Sequence, residues 1–385
     1  MKIVYLCLSG AFIDHYSYQE NLLTKYHKEL GYDVEVIAST MDFDQNGNVV
    51  YSEEAGTHIN EHGIKVTKLP CRKPAKIYNK LKRFVGLKAA LQAAKPDILF
   101  VHNCQFLDMD IVVRYLKQNP GVKTYVDNHA DFSNSARNWL SKSVLHGIVW
   151  KHCARQIAPF AEKFYGVLPS RVDFLVDLYG LPKEKCELLV MGADDEKVLE
   201  AKNLEQCRAL RKRYGVKEDD FLIMTGGKID LAKTQTLLLM EAVAKIDNPN
   251  VKLIVFGSVV PELKEKLNNL CVADKVMYIG WLRAEDTYQY FAAADLVAFP
   301  GRHSVFWEQV AGQGIPMICK YWEGTTHVDL GGNVRFLHDD SADEIQKIIT
   351  ELVEQPETYQ EMKRIAEEKG LEMFSYRDIA KRSVS

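Results

Sequence analysis

An α/β fold with parallel sheets is predicted by three features of this 385-residue chain: short apolar runs, longer stretches of helical period between them, and a restart of that alternation past the midpoint. Ile3–Leu8 is apolar throughout, as a strand covered on both faces requires. Gln19–Leu30 carries the spacing of an amphipathic helix and stops at Gly31, and Val34–Ala38 is the next strand. A helix ending near Ala94 leads through Pro96 to the strand Ile98–His102. A helix from Asp110 and the strand Thr124–Val126 complete one doubly wound domain. After Pro182, Cys186–Met191 reads as a strand and Gly192-Ala193-Asp194-Asp195 as a polar connector. The strands Phe221–Thr225, Lys252–Phe256, Val276–Ile279 and Leu296–Phe299 then alternate with helices over Thr234–Ala244, Glu262–Leu270 and Thr287–Ala292. Two such lobes, residues 1–192 and 193–370, are expected to face each other across a ligand cleft.

Composition agrees with two ordinary domains. The chain is 47% hydrophobic, 10% aromatic and 26% charged, which excludes disordered, collagenous and coiled-coil classes. A net charge of -3 gives no reason to expect nucleic acid as a partner. Residues 1–192 nevertheless hold 24 basic and 20 acidic side chains. Much of the excess lies in Lys65, Lys68, Arg72, Lys73, Lys76, Lys80, Lys82, Arg83, Lys88 and Lys95, a run with no Asp or Glu. It reads as a solvated helix face or as a surface drawn to anionic lipid, where each basic group contributes ~1 kcal/mol. The eight cysteines are scattered without C-x-x-C pairing, as in reduced intracellular proteins. With no signal-peptide pattern and no apolar window of membrane-spanning length, a cytoplasmic protein is expected, either soluble or held at the inner membrane face.

Two constellations carry chemistry. Met224-Thr-Gly226-Gly227-Lys228 follows a strand, and Lys233 stands just before a helix. Glycines let backbone approach a phosphate, the helix start offers free N–H groups, and the two lysines supply positive charge to a diphosphate. It is not a Walker loop, because Leu222 and Ile229 stand where that motif needs glycine and a hydroxyl residue. Phe299-Pro-Gly301-Arg302-His303-Ser304 then runs from a strand end into a helix bearing Glu308. A carboxylate there can accept from sugar hydroxyls, and Arg302 or His303 can reach anionic oxygen. In the first half Asp127-Asn128-His129 ends a strand, and Asp14-His15 lies in the loop after the first one.

These segments together resemble the retaining nucleotide-sugar-dependent glycosyltransferases of family 4. Gly227-Lys228 with Lys233 is similar to the family's G-R-x-x-x-x-K turn, and Phe256-Gly257-Ser258 with Pro261-Glu262 to its G-x-G-P-x turn. Tyr290-Phe-Ala-Ala-Ala-Asp295 resembles Y-x-x-A-D, and Glu308-Gln-Val-Ala311-Gly-Gln-Gly314-Ile-Pro316 resembles E-A-M-A-x-G-x-P. Tyr179-Gly180-Leu-Pro182 and Met191-Gly-Ala-Asp194 are similar to the stretch before the interdomain connector. The resemblance covers about residues 179–340. It implies the GT-B fold of two facing Rossmann-like domains, with a C-terminal segment, 371–385, whose helix crosses back to the first.

The resemblance implies roles residue by residue. Lys228 and Lys233 would hold the donor diphosphate and stabilise the leaving nucleotide without a metal, Glu308 would bind the donor ribose hydroxyls, and His129 would contact the donor sugar and reaction centre. Gly10 falls where the family has a glycine-rich loop. The first glutamate of the family's E-x7-E is absent, its place taken by Pro300. His303 and Ser304 are expected to substitute for it in part, with Arg302 near the phosphates. Asp108-Met109-Asp110 has an Asp-x-Asp spacing but stands at a helix start, where carboxylates favour the dipole, so no metal or other cofactor is expected. The implied activity is sugar transfer from a nucleotide diphosphate, uridine favoured, to a glycan or lipid-linked acceptor in surface polysaccharide synthesis. A nucleotide-sugar epimerase on the same fold and a non-catalytic nucleotide-sugar-binding subunit are the alternatives.

Overall fold

The computed structural model describes residues 1–44, 49–52, 55–136 and 138–385; of the basic run, the Lys76 side chain lies outside the described ones. The chain divides into two compact units, Met1–Val190 with Ile379–Ser385, and Met191–Asp378.

The first unit holds β1 (Lys2–Cys7), β2 (Asp33–Ser39), β3 (Met41–Phe43), β4 (Val49–Tyr51), β5 (Gly56–Ile59), β6 (Lys65–Leu69), β7 (Ile98–His102), β8 (Lys123–Asn128), β9 (Ala161–Gly166) and β10 (Cys186–Leu188). Eight of them form one sheet in the order β10-β9-β8-β7-β1-β2-β6-β5, parallel except for β5 against β6, while β3 and β4 make a separate antiparallel ribbon. β1 and β7 are apolar inside, except for His102 at the end of β7, because helices cover both faces of the sheet. Leu87, Leu91 and Ala94, one stripe of the helix Leu87–Ala94, pack with Val4, Leu6, Leu99 and Val101. The strand order reverses between β1 and β7, which opens a crevice at their carboxyl ends.

Charge patterning within this unit differs from the single solvated face expected of Lys65–Lys95. Lys65 and Lys68 lie in β6, and Lys68 Nζ donates to the Phe12 carbonyl. Lys82 Nζ donates to the Ser9 carbonyl, and Arg72 and Arg83 both pair with buried Asp108. Tertiary acceptors thus hold much of the run; Lys73, Lys80, Lys88 and Lys95 remain exposed. Asp108 itself does not cap its helix: its carboxylate accepts from the Phe84 N–H at 2.6 Å and from Arg83 Nε.

The second unit is a six-stranded, fully parallel sheet of β11 (Phe221–Gly226), β12 (Val251–Phe256), β13 (Val276–Tyr278), β14 (Leu296–Phe299), β15 (Met317–Lys320) and β16 (Val334–Leu337), ordered β13-β12-β11-β14-β15-β16. Its strand order reverses between β11 and β14. The helices Gln235–Lys245 and Ala342–Glu354 close one face around Leu239, Val243, Leu253, Ile345 and Ile349. On the other, the helix Phe306–Gln313 meets the helix Pro356–Phe374 so closely that a Cβ at Gly370 would lie 2.1 Å from the Ala311 carbonyl oxygen.

The helix Tyr376–Ser383 ends the chain, and its last turns belong to the first unit. There the Ala380 carbonyl lies 2.8 Å from His27 Nε2, and Tyr125 Oη donates to the Val384 carbonyl. His27 Nδ1 is 2.6 Å from Tyr5 Oη, so one buried imidazole bridges the first strand and the last helix.

Candidate active site

Each unit carries its chemistry at the carboxyl edge where its strand order reverses. In the second unit the β11 turn, Gly226-Gly227-Lys228, lies directly against the β12 turn. A Cβ on Gly226 would sit 2.1 Å from the Phe256 ring, and one on Gly257 would sit 1.8 Å from the Gly227 carbonyl oxygen. Gly227 and Gly257 also hold φ of +129° and +128°, which side-chain-bearing residues rarely adopt. The turn leads past Lys233, half-buried, to the helix Gln235–Lys245, whose N-cap Thr234 makes no side-chain cap. Lys228 is exposed, with Asp230 3.9 Å away. This segment supplies two cations beside an uncapped helix start, which suits an anion.

Glu308 lies on the neighbouring strand-to-helix connection, in the first turn of Phe306–Gln313, and is completely buried. Its Oε1 is 2.8 Å from His303 Nε2 and 2.8 Å from His327 Nε2. Its Oε2 is buried with no partner. Burial would push this carboxyl up, but the charges and hydrogen bonds of His303 and His327 outweigh it and hold Glu308 well below the usual carboxylate range. An ionised oxygen left unpaired and buried costs more than the ~1–3 kcal/mol of a neutral group, so Oε2 is an acceptor in want of a donor. Arg302 is exposed, and Ser304 accepts from the Trp307 N–H at 3.0 Å through its carbonyl.

The first unit brings together His102, Asp127 and His129. His102 pairs with Asp127 in the parallel register of β7 and β8, which sets its Nδ1 2.9 Å from Asp127 Oδ2. His129 Nε2 is 3.4 Å from the same oxygen, and the two imidazoles lie 4.7 Å apart. Asp127 Oδ1 accepts from the Asn103 N–H at 2.8 Å, so both carboxylate oxygens are engaged. Glu20 adds a second carboxylate 3.6 Å from His102 Nε2. Burial works against a charge on His102, but Asp127 and Glu20 overcome it, Lys82 opposing, and push the imidazole up to about 9. For His129 burial wins over Asp127, and its pKa is lowered. In each triplet the imidazole nitrogens and carboxylate oxygen lie within 4.8 Å of one another, so His102, Asp127 and His129, or His303, Glu308 and His327, could grip a divalent ion.

Other residues singled out from the sequence lie apart from these triplets. Gly10 follows β1 with open space where a Cβ would stand, and its carbonyl accepts from Ser39 Oγ. Asp14 Oδ2 is 2.7 Å from His58 Nε2, and His15, at φ +64°, is mostly exposed with its N–H bonded to Glu61. His102 and His327 escaped the sequence reading. The first had a usable signal, a histidine ending the strand beside the one that ends in Asp127; His327, in a 3-10 turn 19 residues from Glu308, had none.

Two family models match the chain in succession: "Glycosyltransferase Family 4" over residues 21–197 and "Glycosyl transferases group 1" over residues 207–369. An uncharacterised glycosyltransferase of Methanocaldococcus jannaschii is 22% identical over 144 residues, 36% of each chain. The mannosylfructose-phosphate synthase of Agrobacterium fabrum is 24% identical over 170 residues, 41% of this chain and 35% of that one. The chain thus spans about a third of the length of these curated relatives. Among solved structures, Anabaena HepE in complex with UDP and glucose superposes with a TM-score of 0.68 at 17% identity, covering 99% of this chain and 98% of that one.

Proposed function

We propose that this chain, a glycosyltransferase of the GT-B fold, moves a sugar from a nucleoside-diphosphate donor, UDP-linked by preference, to a hydroxyl of a glycan or lipid-linked acceptor with retention of anomeric configuration. The observation that carries the reading is Glu308 Oε2, a buried, ionised, unpartnered acceptor at the switch point of the second unit, beside the β11 turn and its lysines. A ribose hydroxyl is the donor that satisfies it. Lys228 and Lys233 then neutralise the diphosphate, and stabilise the charge that develops on it as the glycosidic bond breaks. That electrostatic work calls for no metal ion. His129 serves the transferred sugar, with Gly10 on the donor side, Asp14 and His15 on the acceptor side, Arg302 toward the phosphates, and Ser304 and His303 lining the donor loop.

The acceptor class is a surface polysaccharide under assembly, reached at an anionic membrane face through Lys73, Lys80, Lys88 and Lys95. These lysines of the basic run are exposed. Among the described residues no helix is long and apolar enough to cross a membrane.

Incubation with radiolabelled UDP-, GDP- and ADP-sugars, with and without membrane-derived lipid acceptors, tests the reading. Transfer to acceptor, abolished in Glu308→Ala, is the expected result, and proton NMR of the product reads the retained configuration. Turnover of a nucleotide sugar with no acceptor would replace transfer by epimerisation. Nucleotide binding without transfer or hydrolysis would leave a binding subunit.

A further inference from the structure

We propose that His303 and His327 determine how the donor site reads ribose: both occupy Glu308 Oε1, so the carboxylate takes one ribose hydroxyl through Oε2 instead of gripping the two together. This rests on the reading that Glu308 faces the donor ribose. A free carboxylate offers about four acceptor positions and can hold a vicinal diol with one hydroxyl on each oxygen. Here both positions of Oε1 are filled by imidazole nitrogens at 2.8 Å, and Oε2 alone is without a partner. Neither ring is free to withdraw. His303 lies edge-on to the fully buried Trp307, 5.1 Å between centroids, and the nearly buried His327 lies edge-on to Phe374. Glu308 is equally fixed, in the first turn of a helix whose closest neighbour comes within van der Waals reach of its backbone at Gly370.

The consequence is an asymmetry between the two hydroxyls. Removing the one that meets Oε2 leaves a buried carboxylate oxygen without a donor, whereas removing its neighbour takes nothing from the carboxylate. Releasing one imidazole frees a position on Oε1 and lets the second hydroxyl bind.

Titration calorimetry with UDP, GDP and ADP, each as the ribonucleotide and its 2′-deoxy and 3′-deoxy forms, reads this directly. For the base that binds, one deoxy form is expected to bind wild-type protein about tenfold or more weakly, and the other within about twofold of the ribonucleotide. His327→Ala brings the two deoxy forms within about threefold of each other, and His327→Gln, whose amide can still donate to Oε1, keeps them apart. His303→Ala provides the same reading should the first variant fail to fold, with melting curves as the check. Equal losses from both deoxy forms in wild type, or an asymmetry that survives in a folded His327→Ala or His303→Ala, overturn the clamp. Failure of every ribonucleotide to bind defeats the donor-site reading beneath it.

Discussion

Two carboxylates, each bridged by a pair of histidines at the carboxyl edge of a parallel sheet, are put to different ends in the two units. On Asp127 each oxygen has a partner: Oδ1 takes the Asn103 N–H and Oδ2 the His102 imidazole, with His129 Nε2 3.4 Å from it. Glu308 is half-satisfied, with Oε1 doubly bonded and Oε2 bare. A buried carboxylate with a partner on each oxygen organises its neighbours, whereas one with an oxygen left without a partner has an acceptor to offer a ligand. Histidine content and burial alone would rank the two clusters equally; how the hydrogen bonds are divided between the two oxygens separates them.

The largest effect that would break this contrast is on stability. Asp127→Ala removes the partner of a buried imidazolium and of the Asn103 amide, and is expected to destabilise the protein by about 3–5 kcal/mol, read as a lowered urea midpoint. Glu308→Gln should instead act mainly on binding, weakening nucleoside diphosphate by about 1.5–3 kcal/mol, or roughly 10- to 100-fold, in calorimetry. A reversal of the two phenotypes would mean that the vacancy is on Asp127.

pH sharpens the same contrast. His102 is raised from 6.5 to about 9, so its stabilisation is fully present below pH 6.5 and is lost as pH rises through 9, on the order of 3 kcal/mol. His27, behind the last helix, runs the other way: burial lowers it to about 4 despite its bond to the Ala380 carbonyl. The unfolded chain binds that proton first, so stability falls as pH drops from 6.5 toward 4. Urea midpoints measured across pH 4–10 should therefore show a dome. His102→Asn should flatten its alkaline limb and His27→Gln its acid limb; an alkaline limb unchanged in His102→Asn would show that Asp127 does not hold that charge.

A smaller effect distinguishes the glycines of the two units. Gly257→Ala puts a methyl into the Gly227 carbonyl at positive φ and should cost about 2 kcal/mol or more, with nucleotide binding lost in parallel. Gly10→Ala meets nothing within 4 Å and should leave the melting temperature within about 1 °C. Equal shifts would remove the case for the β11–β12 turn contact.

Most of the second unit was legible in the sequence because its chemistry is local. The glycine turn, Lys233 and Glu308 each stand at a strand end that the apolar runs already mark. The strands β11, β12 and β14 form within a residue of the expected bounds. The first unit was less legible because its cluster is assembled by sheet register. His102 meets Asp127 only once β7 and β8 pair, and Glu20 arrives from the helix Gln19–Glu29. The edge strand β5, antiparallel to its neighbour, breaks the alternation on which the reading relied. Basic residues misled for a related reason: charge along the chain says nothing of which carbonyls and carboxylates the fold will bring to Lys68, Lys82 and Arg83. His327 reaches Glu308 across 19 residues with no pattern to announce it.

The measurement that tests the central claim most directly is calorimetric titration of UDP, GDP and ADP into wild-type protein, Glu308→Ala and Lys233→Ala, all checked for native melting. One diphosphate is expected to bind wild type selectively, with binding lost in Glu308→Ala and weakened in Lys233→Ala. A diphosphate bound equally well by wild type and Glu308→Ala would contradict the claim, because the vacancy at Oε2 would then hold no part of the ligand.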